Sequence, residues 1–304
     1  MALEYGIEPI LGGVGGVYFL VEPGELTVSV MKRDRHEHNR HTELRAILVG
    51  PDRGVIEEAR ISDDGQAAGS GLGEIGGVEI STQVARKGIY ALNITVSQDR
   101  YGEEIAWGFR TNCRSYLIET SRGHKDARHE EPVVLLNPDG PGDICFLPRF
   151  GAFDLEVSDL PDGVEALTVF DGNGEEIHTL PVETGGKVSY TYAEGVHRDV
   201  SPWRLHLPKA QATVQIDGVT RWERGDVFPE LSLWTPDPES FFPFHSYRWL
   251  LTPYRKTVYG DPGTEGEIHF QVQNNGEQQA MVELGIEYPE AAWPAQLSVE
   301  RVSV

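Results

Sequence analysis

The chain has 304 residues and a formal net charge of −22, from 48 acidic against 26 basic side chains. A field of that sign repels phosphate backbones and anionic lipid headgroups, so neither nucleic acid nor a membrane surface is an expected partner. Apolar residues make up 39% and charged residues 24%, no apolar run reaches the roughly 18 residues that span a bilayer, and the length suggests two domains, or three small ones.

Glycines (34) and prolines (19) fall in short clusters between apolar-polar alternations, where they act as turn punctuation. From Val17 the alternations predict strands at 17–21, 26–31, 44–49, 55–61, 78–84, 90–96, 105–109 and 116–119. In the sixth, Tyr90, Leu92, Ile94 and Val96 alternate strictly with less apolar neighbours, as a half-buried antiparallel strand requires. Eight short strands at this spacing predict a first β-sandwich over residues 1–122.

The hydrophilic run Ser121–Glu130 has no period of either kind and marks a boundary. A second sandwich is expected over 131–222, with strands at 144–147, 153–157, 166–170, 176–180, 188–192, 203–207 and 212–216. Between two of these, Asp171-Gly172-Asn173-Gly174 is a hairpin turn; it lacks the distal Glu of a calcium loop.

From Trp222 to Tyr254 nine aromatics and five prolines interrupt the alternation, which predicts an extended connector with at most one short helix around Ser246–Leu251. Three more strands are expected at 266–273, 279–288 and 296–304. The fold class is therefore all-β: two antiparallel β-sandwich domains, jelly-roll or Ig-like, plus a C-terminal strand set within 223–304.

Two cysteines, Cys113 and Cys145, are too few for a disulfide framework, and both a single bridge and two buried thiols fit. The start shows no charged region followed by an apolar stretch, so no signal peptide is read there.

Two constellations could carry chemistry. His36, His38 and His41 lie in the loop after the second predicted strand, and His-x-His on an extended backbone turns both rings to one side, as a metal site needs. Arg33, Arg35, Arg40 and Arg45 oppose a cation there, so the same loop also reads as a solvated one. The second is the connector, where Trp234, Tyr247, Trp249 and Tyr254 offer faces on which sugar rings stack; filling an interface between domains would use the same residues. Glu103-Glu104 is the nearest carboxylate pair, but adjacent strand residues point opposite ways. No nucleophile elbow, P-loop or zinc-protease motif is present, and no cofactor beyond a bound metal ion is implied.

The run Gly263-Thr264-Glu265-Gly266 through Asn274-Asn275-Gly276, with Val282–Tyr288, Pro289 and Trp293-Pro294 after it, resembles the first half of Ig-like accessory domains of bacterial carbohydrate-active enzymes. That resemblance implies a non-catalytic role in glycan binding or spacing, a carbohydrate partner, an adjoining catalytic domain and a secreted or cell-surface setting. A cytoplasmic location fits the visible start equally. A β-jelly-roll glycosidase or polysaccharide lyase, and a structural protein-interaction module, are the alternatives.

Overall fold

The computed structural model describes residues 3–99, 102–119, 132–137, 139–146, 148, 152–193, 202–220, 233–243, 249–252, 259–261, 263–274, 279, 281–286 and 295–304. The protein is all-β and antiparallel. The first half contributes β1 (Tyr5–Leu11), β2 (Gly15–Val21), β3 (Gly24–Asp34), β4 (Leu44–Val49), β5 (Val55–Ile61), β6 (Gly76–Val84), β7 (Gly88–Val96), β8 (Ile105–Thr111) and β9 (Tyr116–Glu119). The next part contributes β10 (Val133–Asn137), β11 (Gly142–Phe146), β12 (Phe153–Ser158), β13 (Ala166–Phe170), β14 (Glu176–Pro181), β15 (Val188–Tyr192), β16 (Trp203–Leu207) and β17 (Ala210–Ile216). β18 (Leu233–Thr235), β19 (Trp249–Thr252), β20 (Gln271–Asn274), β21 (Met281–Glu283) and β22 (Arg301–Ser303) follow.

Strands β1 to β18 form two four-stranded sheets, β1-β8-β3-β6 and β10-β17-β12-β15, and one sheet of ten, β14-β13-β16-β11-β18-β9-β2-β7-β4-β5. One half of the long sheet faces the first small sheet: Phe19 on β2 and Tyr116 on β9 meet Phe109 on β8 edge-on, with centroids 5.8 and 5.4 Å apart. The other half faces the second: Phe146 on β11 and Trp203 on β16 pack on Phe153 of β12. Each packing makes a sandwich, and the long sheet belongs to both.

β18 joins them. Its Leu233 and Trp234 pair with Glu119 and Ile118 of β9 on one side, and with Cys145 and Ile144 of β11 on the other. Cross-strand register then aligns Val169, Leu205, Ile144, Trp234, Ile118, Val17, Leu92 and Leu48 in one row across eight strands. All eight are buried in a single apolar cluster that includes both sandwiches. Side chains alternate faces along a strand, so one uninterrupted apolar row fixes the register of every strand it crosses.

After β18 the chain turns through a short 3-10 segment, Pro238–Ser240, N-capped by Asp237. Ser240 Oγ donates to the Tyr116 carbonyl at 2.8 Å and shares a hydrogen bond with Thr235 Oγ1 at 2.6 Å. Phe242 covers Leu117, Cys145 and Leu233 on the outer face of the long sheet. The short helix expected around Ser246–Leu251 is not what forms at its end: residues 249–252 are β19, paired with β20. Leu250, Leu251 and Thr252 continue an extended run ahead of Pro253, and a residue before proline is driven from helical to extended backbone.

The strands expected at 266–273, 279–288 and 296–304 shorten to β20, β21 and β22, the last two paired with each other. The expected boundary at Ser121–Glu130 lies outside the described residues. The Asp171 turn forms as read, its carboxylate accepting from the backbone N–H groups of Asn173 (2.8 Å) and Glu175 (2.9 Å).

Both cysteines are buried free thiols. Burial pushes the Cys113 thiol up to about 11, and burial, with Asp143 nearby, raises Cys145 well above its ordinary value. Since the thiolate is the reactive form, neither should react with a disulfide reagent at pH 8 in the folded protein, and both should react once it is unfolded in denaturant. Titration of two thiols in the native protein would contradict this placement.

Candidate functional site

Three loops meet at one end of the first sandwich: residues 35–43 after β3, 62–75 after β5 and, after β7, 97–99 with 102–104. The inward face of β3 runs Leu26, Val28, Val30 and then changes chemistry to Lys32 and Asp34, with His36 just beyond; all six are buried. Lys32 Nζ donates to Asp34 Oδ2 at 2.8 Å and to the Ser62 carbonyl at 3.0 Å, and the Lys32 side chain is only 1% exposed. A buried ammonium requires such a partner, since an uncompensated charge in the interior is far costlier than a paired one.

Asp34 Oδ1 accepts from Thr42 Oγ1 at 2.5 Å, and Thr42 Oγ1 also lies 2.9 Å from Asp63 Oδ2, which accepts from Thr42 N at 2.8 Å. Burial would lift the Asp63 carboxyl, but the hydrogen bonds from Thr42 and Gly65 bring it below its ordinary value.

His36 adopts φ +55°, a left-handed conformation that few side chains take. Its Nδ1 donates to the Gly71 carbonyl at 2.5 Å, and its Nε2 faces Asp64 Oδ1 at 2.9 Å and Oδ2 at 3.0 Å. The Asp64 hydrogen bond, followed by the Gly71 carbonyl, holds the imidazole above its ordinary 6.5 against the effect of burial. Asp34, His36 and Asp64 each offer a ligand atom, and these atoms lie within 4.8 Å of one another. A pocket of about 320 Å³ opens beside them, lined by Lys32, Asp34, Ser62, Asp64, Gln66 and Glu74.

The expected trio of His36, His38 and His41 does not converge. The left-handed turn at His36 breaks the extended backbone that would set alternate rings on one side. His38 points instead to the buried Glu104, donating from Nδ1 at 2.5 Å, and the His41 Nδ1 lies 3.7 Å from Asp63. Glu104 is buried while Glu103 is half-exposed and bonded to Arg40, so the carboxylate pair diverges as its neighbouring positions dictate. Asp99 organises this loop, accepting from the backbone N–H groups of Gly102, Glu103, Glu104 and Ile105 at 2.8 to 3.1 Å.

The aromatic candidates separate. Trp234 is 5% exposed within the shared core row, so it fills the junction between the sandwiches and has no free face for a sugar. Tyr247 and Tyr254 lie outside the described residues; Trp249 is placed by its backbone in β19.

A second polar cluster lies on the outer face of the long sheet. Asp143, fully buried, accepts from Arg204 Nη1 and His206 Nδ1, each at 2.7 Å, while the Arg204 guanidinium lies over the Phe170 ring. Its charges compensate one another within the sheet.

No protein-family model matches the chain, and no curated protein matches it. Among solved structures, the chain titled "Crystal Structure of Tripeptidyl Peptidase 2 (TPP II)" is similar at 12% identity with a TM-score of 0.22, over 76% of this chain. The match spans 22% of that chain, and a likeness of this degree carries no argument about function. Among the described residues no helix is long and apolar enough to cross a membrane.

Proposed function

We propose that the chain is a non-catalytic β-sandwich module that binds or spaces, of the kind carried by carbohydrate-active proteins beside a catalytic domain. The observation that supports this best is the ten-stranded sheet shared by both sandwiches, because a common sheet sewn by β18 resists bending where two separately folded sandwiches on a linker would swing. Such a unit holds whatever lies at its ends at a fixed separation.

The buried carboxylates support it as well. Asp99, Glu104 and Asp143 each accept hydrogen bonds or ion pairs from the protein itself, which is how structural carboxylates are held. The rival reading, a glycosidase or lyase, needs two carboxyl groups facing one cleft across roughly 5 to 9 Å. The carbohydrate side rests on the Gly263–Gly276 resemblance and carries a secreted or cell-surface setting with it.

The test is calorimetry against a polysaccharide panel, run in parallel with assays for reducing sugar and for unsaturated product. Saturable binding without turnover supports a binding role, and neither binding nor turnover supports spacing. Turnover of any polysaccharide overturns the proposal.

A further inference from the structure

We infer that Asp34, His36 and Asp64 form a binding site for one divalent transition-metal ion of the zinc class, open on its fourth side to the adjoining pocket. The argument starts from the imidazole. Because Nδ1 donates to the Gly71 carbonyl, the ring nitrogen left to face the carboxylates is Nε2. A metal-ligating histidine characteristically gives its other N–H to a carbonyl or carboxylate, which fixes the tautomer and aims the lone pair. In the metal-free protein Nε2 donates its own proton to the Asp64 oxygens 2.9 and 3.0 Å away, and a cation bound there would take the place of that proton between imidazole and carboxylate.

The spacing is close to what an ion needs. Tetrahedral zinc with bonds of about 2.0–2.1 Å sets its ligand atoms about 3.3 Å apart; the three ligand atoms already lie within 4.8 Å of one another, and Asp64, at 2.9 Å from Nε2, must withdraw slightly. Asp64 is partly exposed on a loop and can move; Asp34 is anchored by Lys32 on Oδ2 and Thr42 on Oδ1, each oxygen keeping a further lone pair for a metal. Those two donors orient the carboxylate as second partners of a ligand do. The Lys32 ammonium opposes a second cation, and Asp63, bonded through Thr42, offsets it.

Nitrogen from imidazole selects zinc, cobalt or nickel over calcium and magnesium, which take oxygen ligands. Three protein ligands leave a position for water or for an oxygen of a ligand held in the pocket beside Ser62, Gln66 and Glu74. Gly73 packs against the group so closely that a Cβ there would stand 2.6 Å from Asp64 Oδ2 and 3.2 Å from the His36 ring.

The test uses the full, untagged chain after metal stripping, titrated with zinc by calorimetry and with cobalt by visible absorption. One saturable zinc per chain is expected, together with the cobalt bands of a four-coordinate nitrogen and oxygen site. Asp64→Asn should weaken zinc by at least about tenfold while the metal-free chain still unfolds cooperatively. Gly73→Ala should weaken it too, by displacing Asp64 without removing a ligand. The double variant His38→Ala/His41→Ala should bind as the parent does. Absence of saturable binding overturns the inference, as does parental affinity in Asp64→Asn or loss of binding in the His38/His41 variant.

Discussion

Trp234→Ala should destabilise the protein by about 3–5 kcal/mol, the range for emptying a buried tryptophan site, and should split thermal unfolding into two transitions. The indole is a member of the apolar row that crosses both sandwiches, and its backbone carries one of the few pairings that β18 makes to β9 and β11. Removing it takes packing from both sandwiches at once, at the strand through which, among the described residues, the long sheet passes from one to the other. Calorimetry decides the point: a single transition, lowered but still cooperative, would mean that the sandwiches are coupled through contacts other than β18.

Lys32→Met should cost about 3–5 kcal/mol, the usual result of breaking one partner out of a buried ion pair. The Asp34 carboxylate would remain in the interior with Thr42 as its donor and no counter-charge within contact. Lys32→Met/Asp34→Leu should recover most of that loss, because replacing both charges with apolar groups of similar size removes the desolvation penalty along with the attraction. Denaturant unfolding of both variants measures this. Equal destabilisation of the single and double variants would show that packing of the lysine stem, and not charge, holds the position.

Much of the fold was legible because the strands that pack on one face alternate. β7, β12, β16 and β17 bury every second residue, and the sequence pattern predicts each of them within a few residues. β1 was not predicted, since Gly6 and Pro9 interrupt its apolar alternation; Gly6 takes φ +130° where any Cβ would strike the Phe109 carbonyl, and a register shift follows it. β10 is the unbroken run Val133-Val134-Leu135-Leu136, which has no period to detect. β18 is three residues long in a proline-rich stretch, and only its two neighbours, more than 80 residues earlier, make it a strand.

The site was legible in part. The histidine-rich loop stands out in the sequence, yet two of its three histidines are elsewhere occupied, and nothing in the pattern singles out the acidic members among 48 acidic residues. A usable signal was present: the alternation Leu26, Val28, Val30 continues into Lys32, Asp34 and His36, so charged groups occupy positions that the strand period assigns to the interior. Asp64 could not be read this way, since its approach to His36 depends on how the 62–75 loop folds back over β3.

The position of β18 in the chain also bears on how the protein reaches this fold. Both strands that flank it precede it, Glu119 by more than a hundred residues, so during synthesis β9 and β11 emerge with the hydrogen-bonding edges it will fill still open. Contacts so distant in sequence form slowly, and unfilled edges recruit strands from other chains. The last strand of the long sheet to be made is thus the one that ends its exposure to aggregation, and conditions that speed its arrival relative to its neighbours should favour soluble protein.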